Sequence, residues 1–334
     1  MLNPTPKLRR TLGALAFAIT GLLAVSSGNA LAAYPDKVIK MIVPFPPGGA
    51  TDVIGRILAA HLSAALGQQV VIDNKGGAGG NIGAEAVAKA PADGYTLLMG
   101  ALTSHSTIAT LEKGKLRYDL LRELSAVAIV GQVPLVFVTH PSVPARSLKE
   151  FVTYMKANPG KVSFASSGAG APQRLASEMI KTQNHLFMVH IPYRGSGPAI
   201  TDLIGGQVQF MAETVPAVLQ HIRAGKLNAL AVTSTIRVPN LPDVPTTAQA
   251  GFPGVEVSST FGVLLPSGTP KYIVERLNTE IYKIMQRPEV QAQMAQQGVL
   301  ALAPLTPEQA QERVRTEVAK WATVIAESGI KAEE

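Results

Sequence analysis

Few side chains in this 334-residue chain are placed to do covalent chemistry. It has no cysteine, which removes thiolate nucleophiles, Cys-ligated metals and disulfides together. His61, His105, His140, His185, His190 and His221 are scattered without HExxH spacing, and each reads as a surface or satisfied core residue. Ser166 and Ser167 stand where a strand turns into a helix, as a hydrolase nucleophile does. Yet FASSG lacks the glycine two residues ahead that a GxSxG elbow uses. Asp52 and Glu213 are the carboxylates that could pair, at a separation the sequence does not give. A serine hydrolase is therefore the competing class, and the expectation is a protein without enzymatic activity, cofactor or metal.

What remains is the backbone. In VPFPPGGATD, Val43 to Asp52, prolines supply no N–H groups, whereas Gly48 and Gly49 lack a Cβ and let a ligand approach the main chain. The amides of Ala50, Thr51 and Asp52 then open a helix and have no acceptors within it, so an anion fits there, aided by the helix dipole. An ordinary turn capped by Thr51 or Asp52 fits equally well. FASSGAGAPQ, Phe164 to Gln173, repeats the design: Ser166 and Ser167 offer hydroxyls, and Gly168, Gly170 and Ala171 offer amides. One exposed helix terminus contributes only about 0.3 to 1 kcal/mol toward an anion. Two loops closing on one ligand add charge-assisted hydrogen bonds of roughly 1.5 to 3 kcal/mol each. Net capture on the order of 8 kcal/mol, micromolar, thus needs both loops. A third loop, NKGGAGGNIGA, puts Ala78 where GxGxxG needs its first glycine, so Gly79, Gly80 and Asn81 are read as cleft rim or as a third helix N-terminus and not as a dinucleotide site.

The elements that hold these loops alternate strand and helix, as an α/β protein with mainly parallel sheets does. VIKMIVPF is an apolar, β-branched strand, followed by a helix from Thr51 to Leu66 with Val53, Ile54, Ile57, Leu58 and Leu62 on one face. The strand QVVIDN, a helix from Asn81 to Lys89 and the strand YTLLMG come next, then an irregular segment from Leu102 to Glu123 whose Thr103, Ser104 and Ser106 are rim candidates or plain caps. Two long extended runs, Ser125 to His140 and Glu256 to Pro266, flank a self-contained α/β stretch. One lobe inserted into another follows: residues 134–235 within 33–133 plus 236–334. The chain ends in helices capped at Thr269 and Thr306, each followed by proline, that pack back on the first lobe with Trp321.

Lys7, Arg9 and Arg10 precede an uncharged apolar run and a small-residue ALA at Ala30 to Ala32. That is an export signal over residues 1–32, cut before Ala33, although the uncharged stretch is nearly long enough for an uncleaved anchor. Its removal lowers the net charge from +7 to +4, a mild cationic bias without the clustered basic stripe that nucleic acids need.

The segments YPDKVIKMIVPFPPGGATD, VVIDNKGGAGGNIGAEAVAKAPADGYTLLMG, FASSGAGAPQRLASE, IPYRGSGPAITDLIGGQVQF and LLPSGTP closely resemble, in order, the Bug family of periplasmic receptors for tripartite tricarboxylate transporters. The resemblance implies a periplasmic-binding-protein fold of type II kind, a monomer with two α/β lobes and mixed, mainly parallel sheets. It implies a small organic carboxylate held in the cleft, and delivery to membrane permease subunits or, alternatively, to a sensor kinase. Phe45 and Gly48 to Asp52 become one jaw and Ser166 to Ala171 the other, with Tyr193 and Gly195 in a third polar turn, PYRGSGPA. Where the family commonly carries asparagine, serine and histidine in the second jaw, this chain has Ala169, Ala171 and Arg174. Arg174 is either a solvated surface cation or a bidentate partner for a second carboxylate. Thr260 replaces the usual tryptophan before the FG pair.

Overall fold

The computed structural model describes residues 34–168 and 170–332; the expected export signal and Ala169 lie outside the described residues. Two sheets meet along one strand. The first contains β1 (Ile39–Val43), β2 (Val70–Asn74), β3 (Thr96–Ala101) and β9 (Ser258–Pro266). There β1 pairs parallel with β2 and β3, and β9 returns antiparallel. The second contains β5 (Ser163–Ser166), β6 (Val189–Pro192), β7 (Phe210–Thr214) and β8 (Asn228–Val232), with β5 parallel to β6 and β7. The strand β4 (Leu124–Thr139) serves both. Its residues 124–134 pair with β9, and its residues 135–139 run antiparallel between β7 and β8. The sheets are mixed because the two long strands run against the parallel sets they join.

Burial explains the parallel strands. In β1 every residue but Lys40 is buried, as a strand covered on both faces requires. Helix α1 (Ala50–Leu66) lays Ile54, Leu58 and Leu62 on it, and stops at Gly67 in the left-handed conformation. The helices α2 (Asn81–Ala88), α3 (Leu102–Leu111) and α4 (Leu120–Glu123) complete the first sheet's surroundings; α5 (Leu148–Ala157), α6 (Pro172–Gln183), α7 (Ser196–Ile204) and α8 (Val215–Arg223) belong to the second. The chain closes with α9 (Lys271–Met285), α10 (Pro288–Gln296) and α11 (Pro307–Ser328).

Three expectations change here. The segment 102–123 is not irregular: it contains α3 and α4, and Ile108 is buried with Leu102. Thr269 does not cap α9, whose N-cap is Pro270; its hydroxyl donates to the Pro266 carbonyl at 2.7 Å. Thr306 does cap α11, in a reciprocal box with Gln309. That last helix does not return to the first core alone. Ala310 and Val314 pack in the core of the first sheet, whereas Trp321 and Ile325 pack with Phe137, Phe151 and Phe164 of the second. At about 1.5 Å per residue the helix is long enough to reach both. Between those ends Glu317, 6% exposed, accepts Trp321 Nε1–H at 2.8 Å. It borders a cavity of about 150 Å³ shared with Gln132, Ser258 and Thr260 at the strand crossover, away from the glycine loops.

Candidate functional site

The first glycine loop is held from below. The Asp52 carboxylate, 3% exposed, accepts the Gly48 amide at 3.0 Å, Asn74 Nδ2 at 2.9 Å and Arg56 Nε at 2.9 Å. Burial opposes its charge, but the bonds from Arg56, Gly48 and Asn74 outweigh it and hold the carboxyl below its ordinary range. Asn74 also reaches the Phe45 carbonyl at 3.0 Å. Asp52 thus fixes the loop and does not face outward as a ligand group. Gly48, Gly49 and Ala50 remain exposed, and the first intrahelical bond runs from Val53 N–H to the Gly49 carbonyl. The amides ahead of Val53 therefore have no acceptor inside the helix.

The second loop is built differently. Ser166 is fully buried, with its hydroxyl 2.7 Å from His190 Nε2 and 3.2 Å from the Gly168 carbonyl. A Ser–His pair of this kind is half of a hydrolytic triad, but here the hydroxyl has no surface for a substrate. Burial, with Arg174 and Lys181 nearby, lowers His190 to about 4 and makes it a poor base at neutral pH. Sequence reading missed this pair because the partners are 24 residues apart on different strands. Ser167 and Gly168 are half-buried; Ala171 is the extended N-cap of α6, with Pro172 in its first turn. Arg174 is 8% exposed and so is not a solvated surface cation.

Below this loop lies an unexpected polar cluster. Glu213, 1% exposed, accepts Gln173 Nε2 at 3.2 Å and the Thr214 hydroxyl at 2.9 Å. Burial raises its pKa, against the lowering effect of Ser196, Thr214 and Gln173, and no cation touches it among these partners. Gln173 was not singled out from sequence; its place directly after Pro172, on the first turn of α6, was the available signal. Gly195, at φ 117°, precedes α7 and places Ser196 3.3 Å from Gln173. The Tyr193 hydroxyl donates to Asp202 at 2.8 Å, and burial together with Asp202 pushes it up to about 12.

Glycines bring these parts together. A Cβ on Gly170 would stand 2.3 Å from Ile108 Cγ1 and 3.5 Å from the Ser104 carbonyl, so the second loop seats directly on α3. A Cβ on Gly79 would stand 2.4 Å from the same Ile108 side chain, and one on Gly80 would stand 3.1 Å from both Phe45 Cζ and His105 Cε1. Phe45, Gly79, Ser104 and Gly170 are therefore neighbours around Ile108 and His105. Thr103 is turned away from that place: its hydroxyl donates to the Ser258 carbonyl at 2.9 Å and accepts the Thr260 amide at 3.1 Å. Asn81 Oδ1 accepts the Tyr118 hydroxyl at 3.1 Å, while its Nδ2 is buried without a partner. Each such buried polar group costs about 1–3 kcal/mol until something satisfies it.

Residues 54–330 match the sequence model described as "Tripartite tricarboxylate transporter family receptor". The chain is 41% identical to protein BugT of Bordetella pertussis over 94% of its own length and 97% of that protein's. Among solved structures it is similar to a R. palustris protein described with adipate (33% identity, TM-score 0.82, 90% of this chain and 100% of that one). It is similar also to MatC from Rhodopseudomonas palustris with bound malate (30% identity, TM-score 0.79, 87% and 100%).

Proposed function

The chain belongs to the family of tripartite tricarboxylate transporter receptors, and from that premise we propose that it captures a small organic carboxylate between its two glycine loops in the periplasm. The captured acid is then handed to the membrane permease subunits of such a transporter. In this reading residues 134–235 move as an inserted lobe against residues 33–133 plus 236–334, with β4 and β9 as the flexing strands. The amides of Gly49, Ala50 and Thr51, which open the helix, receive one carboxylate, and the Ser167–Ala171 backbone closes on it.

The observation that supports this reading most is the seat of Gly170 on Ile108, which brings a loop of the second sheet beside Phe45 and Gly79 of the first. The adipate and malate described with two relatives are acids of the chemistry such amides favour. Among the described residues no helix is long and apolar enough to cross a membrane. Arg174, buried at the base of the second loop, adds positive potential there.

A thermal-shift screen of aliphatic mono-, di- and hydroxycarboxylates, followed by titration calorimetry, tests the proposal. A matching acid at a hundred times its Kd stabilises the protein by about 2.7 kcal/mol. Indifference to every acid in the screen would remove the function proposed here.

A further inference from the structure

Behind Phe45, His105 has no exposed surface, and neither of its ring nitrogens has a hydrogen-bond partner. A neutral imidazole carries one donor and one acceptor, and buried groups of this kind are ordinarily satisfied. Protonation offers no relief, because burial lowers this histidine to about 4. Its setting differs from that of a core residue. Cε1, the carbon between the two nitrogens, lies 3.1 Å from where a Cβ on Gly80 would stand, as does Cζ of Phe45. A side chain at that position would be strained at φ 102° and would crowd both rings, so the glycine leaves room for the nitrogen-bearing edge beneath the first loop. Asn81, 7% exposed, follows immediately and has its own Nδ2 without a partner. The same residue begins α2, whose amino-terminal dipole favours an anion.

We propose that His105 and Asn81 form a second carboxylate subsite on the side of the first sheet, entered when the half-buried Phe45 ring turns away from Gly80. One N–H of the imidazole and the Asn81 amide donate to the two carboxylate oxygens; the other imidazole nitrogen accepts a ligand hydroxyl or a water. The ligand class is then a dicarboxylic acid, with or without a hydroxyl, and not an acid with an apolar tail. This rests on the carboxylate-binding reading of the glycine loops. It assigns the distal carboxylate to His105 and not to Arg174, which lies close to His190 beneath the second loop.

The test pairs each diacid with its one-carboxyl counterpart: succinate, glutarate and adipate against butyrate, pentanoate and hexanoate, by calorimetry. Wild-type protein is expected to prefer the best diacid by at least about tenfold, roughly 1.4 kcal/mol. His105→Phe should abolish that preference, read as the diacid-to-monoacid affinity ratio of the variant itself, whereas Arg174→Ala should retain it. Nitrogen-15 spectra of histidine-labelled wild-type protein provide a reading that needs no variant: adipate should shift a His105 ring nitrogen to the hydrogen-bonded range, and hexanoate should not. A preference that survives His105→Phe, or ring signals unmoved by a bound diacid, overturns this subsite alone. A wild-type protein that binds neither series overturns it together with the function on which it rests.

Discussion

The two glycine loops look alike in sequence and are supported in opposite ways. Beneath the first, the Asp52 carboxylate is charged and ordered by Arg56, Asn74 and the Gly48 amide. Beneath the second, Glu213 is buried among neutral partners, Gln173, Ser196 and Thr214, and its charge is disfavoured. The first loop stays exposed at Gly48 to Ala50, and the second is pressed against Ile108. A braced, open edge facing a buried, seated one is the division of labour expected of a fixed jaw and a closing jaw. Similar loop composition therefore says little about which loop has room to change.

The sharpest way to break this comparison is at the seat. Gly170→Val should lower acid affinity by about tenfold to a hundredfold, since overpacking costs roughly 1–3 kcal/mol and Ile108 is hemmed in by Gly79 on its other side. Adding Ile108→Ala should restore most of the loss in calorimetry; no restoration would mean that the seat is not what limits closure.

Next come the two carboxylates, whose pH signatures have opposite sign. Asp52 has a lowered pKa, so it contributes stability above its unfolded value near 3.8, and that contribution is lost as pH falls through the folded value. Glu213 has a raised pKa, so its favourable contribution is present below the unfolded value near 4.5 and is lost as pH rises through the folded one. Denaturant melts across this range should therefore show Asp52→Asn losing about 2 kcal/mol at neutral pH and little in acid. Glu213→Gln should be close to neutral or stabilising at neutral pH and comparatively destabilising in acid. Parallel pH profiles for the two variants would erase the distinction.

The smallest effect belongs to Gly48, at φ 87° with nothing near its absent side chain. Gly48→Ala should cost only about 1 kcal/mol of stability, the strain of a left-handed turn, and should leave the seat intact. A loss of acid affinity as large as that of Gly170→Val would show that both loops are equally constrained.

Legibility followed locality. The βα units were readable because strand and helix periodicity are local: the helix expected from Thr51 to Leu66 is α1, Ala50–Leu66, and Thr306 caps α11 as expected. By contrast α3 was read as irregular, because LTSHSTIATL is rich in hydroxyl residues with weak helix propensity and has no apolar stripe. Packing on β9 and α11 overrides that preference, and with it come Ile108 and His105, against which Gly79, Gly80 and Gly170 are seated. Trp321 was assigned to the wrong core for a related reason. A helix pattern reports an apolar face and not which of two cores each turn meets.

By itself the sequence determined the alternating α/β architecture, the two glycine loops at helix starts, the exclusion of cysteine chemistry and the receptor family, all of which depend on residue type and near neighbours. Only the tertiary structure decided that Asp52 turns inward, that Ser166 is locked to His190, that α11 joins both cores and that His105 lies unsatisfied behind Phe45. These outcomes depend on contacts between residues far apart in the chain, where burial and the need to satisfy each polar group select one partner among many that composition allows.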